Sequence, residues 1–342
     1  MEPIALKLVT ALVLGFLISV VLGKLLIPLL RRLKAGQSIK EDGPTWHMAK
    51  QGTPTMGGLM FIGATLVTVL ILDWRGIFLQ GDRTCLFVFL FAFVYALIGF
   101  LDDYAKVKKK ENTGLTAPQK FLLQLAVAIV FLLLLRHEGV LTPNVYVPYV
   151  GVEWKLSWVV YMIFAALVIT GTVNAVNITD GVDGLAGSVT LPVCAFFAVA
   201  FTYADVKWQV SGSMGMTILA AALFGGIAGF LVYNFHPAKV FMGDTGSLFL
   251  GGCVCGMAFA LDMPLILIPV GIIYIAETMS DIIQVCYFKA THGKRIFRMA
   301  PLHHHLELGG WSEQKLCFVF GGITVVTCVL AYLGVIGRVP TL

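Results

Sequence analysis

Charged side chains are scarce in this chain of 342 residues, where Asp, Glu, Lys and Arg together make up only 13%. Hydrophobic residues make up 58%, and the mean hydropathy is +0.88. Ordinary soluble domains carry about 25% charged residues, so this composition excludes a typical water-soluble protein. We therefore predict an integral membrane protein.

The sequence also lacks the patterns of a membrane β-barrel, of a disulfide or zinc framework and of a cleavable signal. The apolar runs lack the alternation of apolar and polar residues that a membrane β-barrel requires. The seven cysteines are odd in number and lack metal-ligand spacing, which argues against a disulfide framework or a structural zinc site and favours packing roles. The first apolar run is too long for a cleavable signal and is followed at once by Arg31 and Arg32, so we expect it to remain.

Long apolar runs are abundant instead. A spanning helix needs about 20 apolar residues, because the hydrocarbon layer is about 30 Å thick. The runs that meet this need lie at 4–30, 55–72, 84–101, 119–135, 158–174, 185–203, 214–232, 247–261, 264–285 and 316–336. We predict an all-α, polytopic membrane protein of about ten transmembrane helices, forming one domain over residues 1–342.

The distribution of Lys and Arg predicts the orientation of these helices. Most of the 24 basic residues fall in the loops that follow odd-numbered runs, and short basic loops stay in the cytoplasm. Both termini are therefore predicted outside the cytoplasm. Most of the 19 acidic residues fall on the same side as the basic ones, which the orientation rule does not require.

The third run ends in a pair of adjacent carboxylates, Asp102 and Asp103, followed by several lysines in DDYAKVKKKENTGLTAPQK. Two neighbouring carboxylates repel each other unless a proton or a cation intervenes. A divalent ion held by carboxylates and phosphates, with magnesium the first candidate, would relieve the repulsion. A solvated helix end beside a basic loop is the structural alternative.

The fifth run ends in NAVNITDGVDGLAG, where Asn177, Asp180 and Asp183 recur at three-residue spacing. This spacing can gather polar groups on one helical face or in a tight turn that holds a sugar, a base or a phosphate-bound metal. Asn, Asp and Gly also form ordinary turns and caps, so a purely structural role stays open.

Asp244 stands between Gly243 and Gly246 in NFHPAKVFMGDTGS, at the predicted entrance of the eighth helix. Such an Asp can approach a phosphate-bound cation while backbone N–H groups face the anion, although Asp is also a common helix N-cap. Phe241 could stack on a base or simply lie at the membrane interface.

The ninth run carries Glu277, Asp281 and Gln284 on one helical face, and the loop after it contains the consecutive residues 303–305, all histidine. Ionisable groups at membrane depth normally face a cavity or a partner, unless the helix bends out of the membrane. Consecutive histidines on one regular element cannot all bind a single metal, so hydrogen bonding to anionic phosphate is the functional role that fits, while a run without any functional role stays open.

Taken together, acidic, amide, basic and imidazole groups gather on one predicted side, which suits phosphoryl transfer. The motifs quoted above, with APLHHHLELGGWSE and the TPTMGG of residues 53–58, resemble those of the polyprenyl-phosphate N-acetylhexosamine-1-phosphate transferases. The last two motifs are most similar to the bacterial branch that transfers phospho-N-acetylmuramoyl-pentapeptide. The resemblance covers essentially the whole chain.

The resemblance implies a reaction and a site. The expected donor is UDP-MurNAc-pentapeptide, the acceptor undecaprenyl phosphate in the lipid bilayer, and the cofactor Mg²⁺, in a homodimer of the bacterial inner membrane that binds no nucleic acid. Asp244 resembles the magnesium ligand and, with the pair Asp102 and Asp103, forms the expected catalytic set. The expected substrate-binding residues are Lys50, Thr55, Lys120, Asn177, Asp180, Asp183, Asn234, Phe241, His303, His304 and His305.

Two other functions fit parts of the pattern. A UDP-N-acetylglucosamine-1-phosphate transferase of the same superfamily would use the same motifs. A secondary transporter would explain the acidic residues of the ninth run. Transporters place such groups near the midplane and often repeat them in two halves, whereas this sequence shows no internal repeat and its motifs lie at helix ends.

Overall fold

The structure is a computed structural model that describes residues 4–33, 50–109 and 114–338. Its helices are α1 (Ile4–Arg32), α2 (Leu59–Phe78), α3 (Thr84–Lys109), α4 (Ala117–His137), α5 (Trp158–Thr179), α6 (Leu185–Tyr203), α7 (Ser213–Asn234), α8 (Gly243–Ala260), α9 (Leu267–Val270), α10 (Ile272–Ala290), α11 (Leu302–Glu307) and α12 (Glu313–Ile336). The all-α membrane class predicted from the composition is confirmed.

Each of the apolar runs coincides with helix. Within the described ranges, eight helices are long and apolar enough to cross a membrane, and α9 with α10 forms a bent pair that brings the number to nine at most. The remaining run, 247–261, is α8, which does not meet that test because it opens with the polar residues of the GDTGS segment. α8 is buried from Thr245 to its end, so protein rather than lipid surrounds most of it.

The helices pack around α7 and α8. α1, α2 and α6 lie against α7, whereas α3 and α5 lie against α8. The outer helices expose large apolar side chains, for example Leu17 on α1 and Leu133 on α4, as expected where lipid is the solvent. All seven cysteines are free, and six are buried as expected for packing residues, whereas Cys286 is exposed.

Two features of the fold were not predicted. A short antiparallel hairpin, β1 (Asn144–Val147) and β2 (Val152–Lys155), joins α4 to α5, with Asn144 opposite Lys155. The ninth run is also not one straight helix, because α9 and α10 meet at Gly271 with a bend of 83°.

At the end of the molecule where this hairpin lies, Arg338 ties three segments together. Its guanidinium contacts Asp262 Oδ2 at 3.0 Å and Glu153 at 3.8 Å, and it donates hydrogen bonds to the carbonyls of Leu261 and Asp262. Asp262 also accepts hydrogen bonds from the backbone and hydroxyl of Thr142. Because Arg338 is buried, its charge depends on these partners.

We expect Arg338→Met to lower the free energy of unfolding by about 3 kcal/mol, because it leaves the Asp262 charge buried without its cation. Thermal unfolding in detergent measures the effect, with the exposed Arg83→Met as the matched control. Adding Asp262→Asn to Arg338→Met should recover part of the loss. Equal melting temperatures for the Arg338 and Arg83 variants would contradict this role.

Candidate active site

The acidic residues singled out in the sequence meet where α3, α5 and α8 end or begin. Asp102 and Asp103 lie near the end of α3, Asp180 follows α5 directly, and Asp244 lies in the first turn of α8. α3 and α8 approach so closely at Gly99 that any side chain there would overlap the backbone of Asp244. This close approach holds the acidic groups together.

Asp103 caps the N-terminus of α8 from the neighbouring helix. Its carboxylate accepts hydrogen bonds from the backbone N–H of Asp244 at 3.1 Å and from the backbone N–H and hydroxyl of Thr245 at 2.9 and 2.7 Å. A helix begins with N–H groups that have no partner inside the helix, and a carboxylate satisfies them well. Asp103 therefore fixes the position of Asp244 relative to α3.

Asp244 and Asp102 are held by lysines. Asp244 Oδ2 lies 2.8 Å from Lys120 Nζ and 3.1 Å from Lys106 Nζ, while its other oxygen accepts from Asn177 Nδ2 at 2.9 Å. Lys106 Nζ also contacts Asp102 at 2.6 Å, and the backbone N–H of Leu115 donates to Asp102. The predicted residues Asp102, Lys120, Asn177 and Asp244 thus form one connected group.

Asp180 lies beside this group. Burial, followed by the nearby charges of Asp244, Asp103 and Asp183, raises the pKa of Asp180 well above its ordinary value. So many carboxylates in one place require positive charge, which the ammonium groups of Lys106 and Lys120 supply in part. The acidic side chains gathered here offer carboxylate oxygens, the ligand type that a hard divalent cation prefers, so the residues present fit such an ion.

A second charged group adjoins the first through the turn after α5. Lys50 Nζ contacts Asp183 Oδ1 at 2.8 Å and Glu313 Oε2 at 2.5 Å. His236 Nδ1 lies 3.1 Å from Asp183 and 3.3 Å from Glu313. Asp183, His236 and Glu313 are close enough to hold a metal ion, but Lys50 already contacts both carboxylates.

Three further predicted residues lie on segments next to these two groups. Asn234 accepts from the backbone N–H of Gly184 and donates to the carbonyl of Val240, so its amide is used within the protein. Phe241 is half-buried and pairs through its backbone with Pro54 and Gly57. Thr55 is buried, and its hydroxyl lies next to Gly243.

The three histidines have different surroundings. His303 is buried, with Nδ1 2.9 Å from Glu277 Oε2. His304 contacts Glu307 on its own helix at 2.9 Å. His305 Nδ1 accepts a hydrogen bond from the backbone N–H of Arg298 at 3.1 Å.

Comparison with known proteins identifies the family of the chain. The profile of glycosyl transferase family 4 matches residues 85–262, and the phospho-N-acetylmuramoyl-pentapeptide-transferase signature 1 matches residues 50–62. Proteins named phospho-N-acetylmuramoyl-pentapeptide-transferase from Clostridium acetobutylicum and Acetivibrio thermocellus are 43% and 46% identical to the chain. The first alignment covers 96% of this chain and 99% of the relative, and the second covers 94% and 93%.

The chain belongs to the phospho-N-acetylmuramoyl-pentapeptide-transferase family. A relative from Listeria welshimeri, 43% identical over 95% of this chain and 97% of its own length, bears the same name. Members of this family are enzymes that transfer a phospho-sugar group, so the resemblance seen in the motifs is confirmed. The roles of individual residues stay predictions.

Some residues of this transferase site were missed in the sequence. Glu313 and His236 contact Asp183 although neither stands out by spacing, since Glu313 opens α12 and His236 follows α7. Lys50 was expected from the resemblance, but its contacts with Asp183 and Glu313, and the part played by His236, could be found only from the fold. Lys106, by contrast, follows Asp102 at i+4, a spacing that brings helical side chains together.

Proposed function

We propose that the chain transfers phospho-N-acetylmuramoyl-pentapeptide from UDP-MurNAc-pentapeptide to undecaprenyl phosphate. The products would be UMP and the first lipid intermediate of peptidoglycan synthesis. The observation that carries the proposal is the group formed by Asp102, Lys106, Lys120, Asn177 and Asp244 at the helix ends, in a chain of this family. A site at the rim of a helical bundle is open to a lipid from the bilayer and to a nucleotide from water.

In this reaction an oxygen of the lipid phosphate attacks the phosphorus bound to the sugar, a new P–O–P bond forms, and the bond to UMP breaks. Both reactants are anionic, so their repulsion must be lowered. Lys106 and Lys120 stand where they can neutralise diphosphate oxygens, as they now neutralise Asp244. Asp102, whose carboxylate has fewer fixed hydrogen bonds than that of Asp103, is the better candidate to accept the proton of the lipid phosphate.

We propose Mg²⁺ as the cofactor, held by Asp244 with Asp102 and Asp180 nearby. When bound, it would neutralise the diphosphate and polarise the phosphoryl oxygens. Asp103 keeps Asp244 in place for this task through its hydrogen bonds to the first turn of α8. The oxygen donors around Asp244 support a hard divalent ion over a thiophilic one.

The nucleotide end of the donor is assigned to the second group. The carboxylate of Asp183 can accept a hydrogen bond from the base or ribose, and the ammonium group of Lys50 can donate one. The other expected nucleotide-binding residues surround these two: Asn177, Asp180, Asn234, Phe241 and Thr55. His303, His304 and His305 were expected to contact the diphosphate. Of these, His304 and His305 are partly exposed and fit that role better than His303, which is buried.

We further propose that this site faces the cytoplasm in the inner membrane of a bacterium, with both termini outside, and that residues 1–342 act as one catalytic domain in a homodimer. The basic loops support the orientation. Cysteine labelling of residues near Asp102 and His305 from one side of sealed vesicles tests it, and the mass of the detergent-solubilised protein tests the dimer.

The function is tested by incubating purified protein with undecaprenyl phosphate, Mg²⁺ and either UDP-MurNAc-pentapeptide or UDP-N-acetylglucosamine. We expect UMP release and a new lipid product with the first nucleotide only. Release with the second nucleotide alone would assign the chain to the other branch of the superfamily. A transporter would release UMP from neither.

A further inference from the structure

Two ionisable side chains deep in the protein, Glu277 and His303, form a pair that no step described so far uses. Glu277 is fully buried and His303 is 1% exposed. One carboxylate oxygen of Glu277, Oε2, lies 2.9 Å from His303 Nδ1 and also accepts the backbone N–H of His303 at 3.3 Å. Both the ring and the first turn of α11 are therefore fixed by the same carboxylate.

This contact determines how the ring is turned. With Nδ1 directed at the carboxylate, Nε2 points the other way, and Nε2 is buried without a hydrogen-bond partner in the described part of the chain. Burial of a polar atom without a partner is unfavourable, so such an arrangement persists only when its surroundings hold it. The backbone of α10 beyond the bend at Gly271 supplies the support, since Glu277 lies on that helix.

The ring faces the turn that follows α5. A Cβ atom added to Gly181 would overlap Nε2 of His303, so the ring rests directly on the backbone at this position. Gly181 stands between Asp180, beside the Asp244 group, and Asp183, which contacts Lys50. The ring thus touches a segment that runs from the Asp244 group to the group around Lys50.

We propose that Glu277 and His303 are positioning residues that hold the Asp180–Asp183 turn in the geometry required for binding the sugar nucleotide. In this view His303 acts through Gly181 rather than by touching the diphosphate, unlike the neighbouring histidines. The proposal rests on the proposed function. It adds Glu277, which lies outside the expected site, and gives His303 a positioning role in place of the expected contact with substrate. Supporting groups of this kind typically contribute about 10–100-fold to the function of the residues they orient.

The contact between Gly181 and the His303 ring is tested by enlarging one residue and shortening the other. Gly181→Ala and His303→Ala should each raise the KM for UDP-MurNAc-pentapeptide about tenfold, with little change in the KM for undecaprenyl phosphate. The double variant should have a lower donor KM than either single variant, because the new methyl group occupies space that the ring has left. Gly322→Ala on α12, where an added Cβ meets nothing within 4 Å, is the matched control.

The Glu277 series tests how the ring is held. Glu277→Gln retains an oxygen that accepts from Nδ1–H, so its donor KM should be close to that of the wild type, whereas Glu277→Ala should reproduce the effect of His303→Ala. Thermal unfolding in detergent shows which variants fold. If Gly181→Ala does not fold, the donor KM values of Glu277→Gln and Glu277→Ala alone decide whether the pair has a positioning role.

The outcomes distinguish a failure of the proposed function from a failure of the positioning role. Wild-type protein that releases no UMP would overturn the proposed function itself. Wild-type activity with additive losses in the double variant, or with a donor KM as high for Glu277→Gln as for Glu277→Ala, would overturn the positioning role and leave the function intact.

Discussion

Asp244→Asn is expected to lower kcat by about 10²–10³-fold while the protein still folds, because it removes the charge around which Lys106, Lys120 and Asn177 are arranged. Asn is nearly the same size as Asp and can still accept a hydrogen bond from Asn177. The measurement is UMP release at saturating substrates across a series of Mg²⁺ concentrations. If Asp244 is a metal ligand, the variant should also need more Mg²⁺ for half-maximal rate.

The matched control for this change is Asp205→Asn, which removes the same charge at the opposite end of α6 from the site. It should retain the activity of the wild type. Full activity of Asp244→Asn at saturating Mg²⁺ would remove Asp244 from the ligand set. Equal melting temperatures for the two variants would show that lost activity does not reflect unfolding.

Asp102 and Asp103 are expected to give different results although they are neighbours. Asp102→Asn should reduce kcat by about 10²-fold or more with little change in melting temperature, as for removal of a general base. Asp103→Ala should lower the free energy of unfolding by about 1 kcal/mol or more, because the first turn of α8 loses its cap. Its activity should fall as well, since the cap positions Asp244.

No further control variant is needed, because Asp102→Asn and Asp103→Ala are compared with each other in both stability and rate. Unfolding in detergent and single-turnover rates on the same preparations give both quantities. If Asp102→Asn is the less stable variant and Asp103→Ala the more stable one, the assignment of Asp102 as general base and Asp103 as helix cap is wrong.

Most of the fold could be predicted because lipid imposes a simple rule. A run such as Leu59–Phe78 can cross hydrocarbon only as a helix, so its apolar length alone predicts the element. The bend at Gly271 could not be predicted, because glycine and proline also occur in straight spanning helices. The hairpin at Asn144–Lys155 was missed because each strand has only four residues.

Site residues could be predicted where they stand in a recognisable local sequence pattern. Asp244 stands between glycines at a helix start, and Asn177 to Asp183 repeat at three-residue intervals, so both segments were recognised. The cap formed by Asp103 was not foreseen, since it depends on how α3 crosses α8. The histidine run shows the same limit, because only packing reveals that His303 turns inward to Glu277.

The cap that α3 provides for α8 joins residues 141 positions apart in the chain. During synthesis, α3 enters the membrane long before α8 exists, so Asp103 must remain hydrated at the membrane surface until the later helix arrives. The first turn of α8 then replaces water around that carboxylate and brings Asp244 to Lys106 and Lys120 in the same movement. A nascent chain that stops before α8 can therefore be anchored in the bilayer and yet have no catalytic centre.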